Sequence, residues 1–255
     1  MEPLVRFEQR GGVGVLTLSR ADKRNALNLA LWGELEAHLA TIEALGEALG
    51  AVVLRAAGPV FCAGNDLKER GIAAPRANYQ ASIVTRLASL PQPVIVAVQG
   101  GCFTGGLELA LACDILIGSE NARFADTHAR VGIMPGWGLS QKLARMIGIS
   151  RAKELSLSGN FLDARTACEW GLLNRVVPAD ELLGAAKQLA ADIATADPGM
   201  VQAYKALIDE GYALSFGEGM ALENARSTAA NSQVDKEEVE ARRLAVMERG
   251  REQKG

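Results

Sequence analysis

A run of five apolar residues, VIVAV at 94–98, most constrains how this chain can fold. Two prolines, Pro91 and Pro93, introduce it and a glycine-rich stretch follows it. A short strand without any polar residue is expected to be buried on both faces. At 255 residues, 49% of them hydrophobic, the chain is long enough to build a substantial core around such a strand.

Strand and helix patterns alternate on either side of this run. Strands are also predicted at 13–18, 51–55 and 114–117. Helices are predicted at 29–45 after a capping Asn28, through Ile83, Val84 and Leu87, at 107–113 and at 139–146. This alternation predicts an α/β core with crossover connections and largely parallel strands. In such a core, loops that bind a ligand gather at the carboxyl ends of the strands.

The pattern becomes purely helical from about residue 180. Helices are predicted at 181–194, 200–210, 217–230 and 235–249, with Pro198, Gly211 and Asn231 between them. We therefore divide the chain into a core at 1–195 and a C-terminal helical region at 196–255. The last helix is highly charged, which fits either a solvated helix or one that faces another subunit.

Composition excludes several classes of partner. With 27 basic and 30 acidic residues the net charge is −3, which argues against RNA binding, other nucleic-acid binding and a membrane surface. The four cysteines (Cys62, Cys102, Cys113 and Cys168) lack the close pairing of metal sites or disulfide frameworks, so a reducing cytoplasm is expected. No leader or spanning segment is evident, and we expect a soluble protein without a metal or redox cofactor.

Two glycine-rich loops follow predicted strands, FCAGNDL at 61–67 and GGCFTGG at 100–106. Glycine lets backbone N–H groups approach a ligand closely, and two such donors converging on a thioester oxygen would stabilise an enolate. Glu108 follows within an apolar helix, where burial raises the pKa of a carboxyl group and suits it to proton transfer. The alternatives are a structural carboxylate and a glycine pair that only permits a tight turn.

Four segments resemble the crotonase superfamily, the enoyl-CoA hydratase and isomerase group. They are RNAL at 24–27, FCAGNDL at 61–67, the glycine run ending in Glu108, and IMPG at 133–136; WGLLNRVV at 170–177 extends the resemblance over most of the chain. The resemblance implies a crotonase-like repeated ββα spiral core with a C-terminal helical oligomerisation region. It also implies a homotrimer or a dimer of trimers.

The resemblance also implies roles for individual residues. The backbone N–H groups of Asn65 and Gly105 would form the oxyanion hole, and Glu108 would be the first catalytic glutamate. The coenzyme A portion of the substrate would contact Ala63, Asp66, Leu67 and Lys68 and the early element that contains Arg24 and Ala26. Arg24 and Lys68 are candidate phosphate partners, although either is equally a solvated surface side chain.

One departure from the family pattern bears on catalysis. Hydratases of this family carry a second glutamate twenty positions after the first, and that position is His128. An imidazole donates or accepts a proton near neutral pH, so His128 is a second catalytic candidate, or else a histidine that fills the site without turnover. Asp126, two residues earlier, faces either the cavity or a neighbouring turn, and His38 is interpreted as structural.

The predicted function is reversible hydration of a trans-2-enoyl-CoA in fatty-acid metabolism, with coenzyme A entering only as part of the substrate. Glu108 would activate water for attack at C3, and His128 or Glu108 would protonate C2. The alternatives are an isomerase or another enolate-forming enzyme, and a catalytically weak acyl-CoA binder in which His128 has abolished hydration. Residues 68–76, small and polar, fit a lid over the acyl-CoA or an ordinary surface loop.

Overall fold

The computed structural model describes residues 2–69, 77–232 and 234–252. Its strands are β1 (Val5–Arg10), β2 (Val13–Leu18), β3 (Ala51–Ala56), β4 (Val94–Val98), β5 (Gly101–Phe103), β6 (Ile115–Ser119), β7 (Arg123–Ala125), β8 (Leu162–Asp163) and β9 (Arg175–Val177). Its α-helices are α1 (Leu29–Leu45), α2 (Tyr79–Ala88), α3 (Gly105–Ala110), α4 (His128–Val131), α5 (Leu139–Ile147), α6 (Ile149–Ser158), α7 (Ala164–Glu169), α8 (Leu182–Ala194), α9 (Pro198–Tyr212), α10 (Phe216–Asn231) and α11 (Lys236–Glu252).

The main sheet has six strands in the order β1-β2-β3-β4-β6-β9. Only β1 and β2 pair antiparallel, whereas each of the other neighbouring pairs is parallel, with Val53 of β3 opposite both Val15 and Ile95. Parallel neighbours require crossover connections, which here pass through helices. The predicted α/β fold with largely parallel strands is therefore confirmed.

Both faces of the central strands are buried, which explains their unbroken apolar sequence. On one face, Val52, Val94 and Val96 join a large core that includes Trp32 and Leu35 of α1. On the other face, alternate residues of the same strands pack against apolar residues of α8 in a smaller cluster, which contains Ala51, Val53, Ile95, Ala97, Ile117, Leu182, Ala186 and Ala190. Strand β4 thus lies between two helical layers.

A second sheet, ordered β5-β7-β8, grows from the loop that follows β4. Strand β5 pairs parallel with β7, and β7 pairs antiparallel with β8. Helix α3 begins just after β5, at Gly105, and it ends at Ala110. The prediction placed this helix at 107–113 with the glycines ahead of it, which was wrong: the glycines form its first turn because that turn packs tightly against Cys62.

Other predicted boundaries need smaller corrections. Strand β6 begins at Ile115 and ends at Ser119, and Pro198, expected between helices, opens α9. Proline suits the first turn of a helix, where its missing N–H has no helical partner. Asn28 caps α1 as predicted, accepting the N–H of Leu31 at 3.0 Å.

The C-terminal part of the chain is helical, as predicted. Residues 1–202 form one compact unit and residues 203–255 a second. This division differs from the predicted boundary at 195/196 and does not test whether that boundary separates two functional regions, so the boundary remains a prediction. Most of the predicted lid segment, residues 70–76, lies outside the described residues. Across the ranges that the structure describes, no helix combines the length and the apolar character needed to cross a membrane.

Candidate active site

The first glycine loop is held between two other segments by backbone hydrogen bonds. Leu27 donates its N–H to the Gly64 oxygen at 2.9 Å and accepts the N–H of Asp66 at 2.9 Å. On the other side, Phe103 donates its N–H to the Cys62 oxygen at 3.0 Å. The loop after β3 and the segment after β4 are thereby joined at the carboxyl ends of adjacent parallel strands.

This arrangement brings the N–H groups of Asn65 and Gly105 to one cavity of about 290 Å³. Since Leu27 pairs with the residues on either side of Asn65, the Asn65 N–H points away from it. A Cβ built on Gly105 would lie 3.3 Å from the Asn65 nitrogen, so the two loops are in contact. Neither N–H meets an acceptor within residues 2–69, 77–232 and 234–252. Both donors are available to a ligand oxygen.

Two glycines allow this close approach. Gly64 has a φ of +97°, a conformation that favours glycine, and a Cβ there would lie 3.1 Å from the Phe103 oxygen. A Cβ on Gly106 would lie only 2.5 Å from the Cys62 oxygen. The glycines therefore serve mainly to bring two backbones together.

Glu108 lies on α3 with 2% of its surface exposed, and it lines the same cavity. Its Oε1 accepts the backbone N–H of Trp137 at 2.8 Å. Burial raises the pKa of Glu108, in the direction that its apolar sequence context predicts, and the Trp137 N–H and the charge of His128 offset part of this effect. A carboxyl with a raised pKa is suited to take up and release a proton near neutral pH.

His128 is the first residue of α4 and is held by Asp126. The Asp126 Oδ1 lies 2.7 Å from His128 Nδ1 and accepts the His128 backbone N–H at 3.1 Å. A carboxylate at Nδ1 fixes the proton there and leaves Nε2 for the cavity, where it lies 3.7 Å from Glu108 Oε2. That separation exceeds a hydrogen bond, yet it allows one oxygen atom to contact both groups at about 2.8 Å each.

The charges around His128 favour its protonated form. Burial by itself lowers the pKa of an imidazole, but the hydrogen bond and the charge of Asp126, together with the charge of Glu108, outweigh it and raise the pKa of His128. Burial raises the pKa of Asp126, whereas hydrogen bonds from His128 and Ser156 lower it further, so that it remains ionised. Of the two placements that the sequence left open, Asp126 takes the one in the neighbouring turn, against His128, and it is not among the residues that line the cavity.

Three of the six predicted coenzyme A contacts line the cavity: Ala63, Asp66 and Leu67. Arg24 lies instead in a neighbouring open groove, to which Ala63 also contributes. Lys68 is exposed and does not line the cavity.

Asp66 has a second role that the sequence did not indicate. Its carboxylate pairs with Arg20 at 2.7 Å, and the same Arg20 nitrogen donates to the Ala26 oxygen at 2.8 Å. The hydrogen bond from Arg20 lowers the pKa of Asp66. This ion pair braces the loop that carries Asn65.

Sequence reasoning also missed two residues that shape the site. Trp137 was not singled out, although it directly follows the IMPG segment that carried part of the resemblance. Thr104 has a φ of +52°, which is strained for a β-branched residue, and its hydroxyl lies 2.6 Å from that of Thr127. This hydroxyl pair joins Thr104, directly before Gly105, to Thr127, directly before His128. A threonine between two glycine pairs was the available signal.

Comparison with known proteins identifies the family that the chain resembles. The family model for enoyl-CoA hydratase/isomerase matches residues 8–253. The chain is 36% identical over 245 residues to "Probable enoyl-CoA hydratase 1, peroxisomal" of Arabidopsis thaliana, covering 95% of this chain and 92% of the relative. The solved enoyl-CoA hydratase of Bacillus anthracis is 32% identical, with a TM-score of 0.87 and 96% of each chain covered.

A Thermobifida fusca protein solved in complex with acetoacetyl-CoA is 27% identical, with a TM-score of 0.83 over 91% of this chain and 96% of that one. These likenesses confirm the crotonase-like core with its C-terminal helical region. The roles that the resemblance assigns to Asn65, Gly105 and Glu108 remain predictions. The chain belongs to the enoyl-CoA hydratase/isomerase family.

Proposed function

We propose that this protein adds water reversibly to a trans-2-enoyl-CoA thioester. The observation that carries the proposal is a single cavity in which two unpaired backbone N–H groups face a buried carboxyl and an imidazole. The family assignment supports carbon–oxygen lyase activity.

The thioester oxygen accepts the N–H groups of Asn65 and Gly105, so that negative charge developing on it during reaction is stabilised. The coenzyme A portion leaves the cavity past Ala63, Asp66 and Leu67 and continues toward Arg24, Ala26 and Lys68. The complex of the Thermobifida fusca relative with acetoacetyl-CoA supports a coenzyme A thioester as the ligand. No additional cofactor is needed for this chemistry.

Hydration then requires one base and one acid. The Glu108 carboxylate takes a proton from water as the water oxygen bonds to C3. The C2–C3 double-bond electrons move toward the thioester, giving an enolate held by the two N–H groups. The His128 imidazolium gives its Nε2 proton to C2, so that water is added in full. In the reverse direction, neutral His128 removes the C2 proton and protonated Glu108 donates to the leaving hydroxyl.

The test follows loss of conjugated-thioester absorbance from crotonyl-CoA, with Glu108→Gln and His128→Ala measured beside the native protein. We expect Glu108→Gln, which keeps the shape and deletes the base, to reduce the rate by about 10²–10⁴-fold. Full activity in this variant would contradict the mechanism. Conversion of a 3-enoyl-CoA without hydration of crotonyl-CoA would indicate an isomerase, and binding without turnover would indicate an acyl-CoA binder.

We also infer a homotrimer or a dimer of trimers, a cytoplasmic location and a place in fatty-acid metabolism. Within residues 203–255, Tyr204, Ile208, Tyr212 and Phe216 expose large apolar side chains, which supports assembly through this region. Light scattering of the full chain would give a trimeric or hexameric mass, and a monomer would count against assembly. Cell fractionation tests the location.

A further inference from the structure

The indole ring of Trp137 lies directly against the oxyanion loop. A Cβ built on Gly105 would come within 2.8 Å of Trp137 Cζ3 and 3.4 Å of its Cη2. The backbone N–H of the same tryptophan donates to the Glu108 carboxylate at 2.8 Å. We therefore expect a thioester whose oxygen is held by Gly105 and whose C3 faces Glu108 to extend its first acyl carbons along this ring.

A second indole ring contacts that of Trp137. The indole of Trp32 contacts that of Trp137 edge to face, with ring centroids 5.2 Å apart at 80°. Trp32 belongs to α1 and is fully buried in the main core. Because cores are packed at near-crystalline density, Trp32 restricts the movement of Trp137 on the side where the two rings meet.

The residues that line the cavity differ widely in exposure. Glu108 and His128 are 2% and 8% exposed. Leu67 and Met134, which line the same cavity, are 60% and 87% exposed. Among the described residues, the lining thus ranges from exposed side chains to the buried Glu108, and the Trp137 backbone contacts Glu108.

We propose that Trp137 determines acyl-chain specificity by limiting the depth of the pocket, so that the site prefers a short-chain enoyl-CoA such as crotonyl-CoA to a medium-chain one. This inference rests on the proposed function and names its substrate class. The Trp137 side chain limits the pocket, whereas its backbone N–H makes the hydrogen bond to Glu108. Truncating the side chain therefore alters the depth of the pocket without deleting that hydrogen-bond donor.

The experiment measures kcat/KM for crotonyl-, hexenoyl- and octenoyl-CoA with the native protein, Trp137→Ala and Trp137→Phe. Each methylene that gains a buried position contributes a factor of roughly four, so two contribute about 15-fold. We expect the octenoyl-to-crotonyl ratio to rise by at least about 15-fold in Trp137→Ala and by less in Trp137→Phe. If Trp137→Ala does not fold, the ratio in Trp137→Phe decides.

Trp170→Ala is the matched control, since Trp170 packs with Arg151, 5.5 Å from its ring centroid, and does not line the cavity. Its chain-length ratio should remain native. Isothermal titration with butyryl- and octanoyl-CoA, which cannot be hydrated, measures the same selectivity without turnover. An unchanged ratio in both Trp137 variants, in turnover and in binding, overturns the inference. Failure to hydrate any substrate, with a shifted binding ratio, would refute the proposed function but support this inference.

Discussion

Replacing Gly105 by alanine should separate activity from stability. Gly105 lacks a positive φ, so alanine fits its backbone conformation. The added Cβ, however, would lie 2.8 Å from Trp137 Cζ3 and 3.3 Å from the Asn65 nitrogen. Carbon atoms in contact normally stay about 3.5–4.0 Å apart, so a shift of roughly 0.7 Å or more is needed. The Trp137 indole also packs edge to face against Trp32, so we expect the two oxyanion loops to take up much of the strain.

The expected cost is much larger for activity than for folding. Spreading the two loops weakens at least one oxyanion donor, and losing one such donor costs about 10²–10³-fold in rate. Overpacking costs about 1–3 kcal/mol of folding free energy, and alanine returns about 0.5–1 kcal/mol relative to glycine inside a helix. We therefore expect Gly105→Ala to remain folded while kcat/KM for crotonyl-CoA falls by about 10²–10³-fold.

Hydratase kinetics and thermal unfolding, measured on the same preparations, test this separation. Gly184→Ala in α8 is the matched control, because a Cβ there meets nothing within 4 Å, and both its activity and its melting temperature should stay at least native. In a Trp137→Ala background the Gly105→Ala change should cost less, since its closest contact has gone. A Gly105→Ala variant with more than about a third of native kcat/KM would contradict the assigned role of this N–H.

Two further predictions concern pH. Asp126→Asn removes the carboxylate that most strongly raises the pKa of His128. The alkaline limb of the kcat/KM profile should therefore move to lower pH. A purely structural defect would lower the rate without moving that limb. The ionised Asp66 stabilises the fold at neutral pH, and this stabilisation is lost as the pH falls through its lowered pKa. Arg20→Met should therefore move acid unfolding, followed by circular dichroism, to higher pH; an unmoved midpoint would mean that the ion pair is unimportant.

How well the sequence predicted each strand depended on its burial. Strand β4 is apolar throughout and buried on both faces, so its bounds were predicted as they are found. Strand β1 was missed because it is an edge strand with mostly exposed, charged residues that hide any alternation. Strands β5 and β8 contain only three and two residues, too few to show a period. Strands β5 and β8 are placed by pairing with β7 rather than by a pattern in their own sequences.

In the site, residues in contiguous motifs were predicted, whereas residues that act through long-range contacts were not. Asn65, Gly105 and Glu108 belong to contiguous motifs whose spacing carries the information, and the structure brings them to one cavity. The roles of Trp137 and Arg20 depend on contacts across 29 and 46 positions of the chain, made partly through backbone atoms that any residue type possesses. Sequence spacing alone does not encode such contacts.

A histidine at the position where the family resemblance implies a second carboxylate changes how protons are shared at the site. Two adjacent carboxylates repel one another, which raises the pKa of one of them, whereas Glu108 and His128 attract when the first is ionised and the second protonated. That charge state holds a base for water and an acid for C2 at once. After hydration both groups are neutral, with the proton now on Glu108, which is the state needed for dehydration.

A single proton passing from Glu108 Oε2 to His128 Nε2, across 3.7 Å and through a bridging water, restores the hydrating state. Asp126 biases this transfer toward the imidazole because its negative charge stabilises the imidazolium. Loss of Asp126 should therefore slow hydration because less of the protein has Glu108 ionised and His128 protonated. Substrate binding should change little. The expected signature is a fall in kcat with little change in the affinity for butyryl-CoA, whereas a weakened affinity alone would refute this argument.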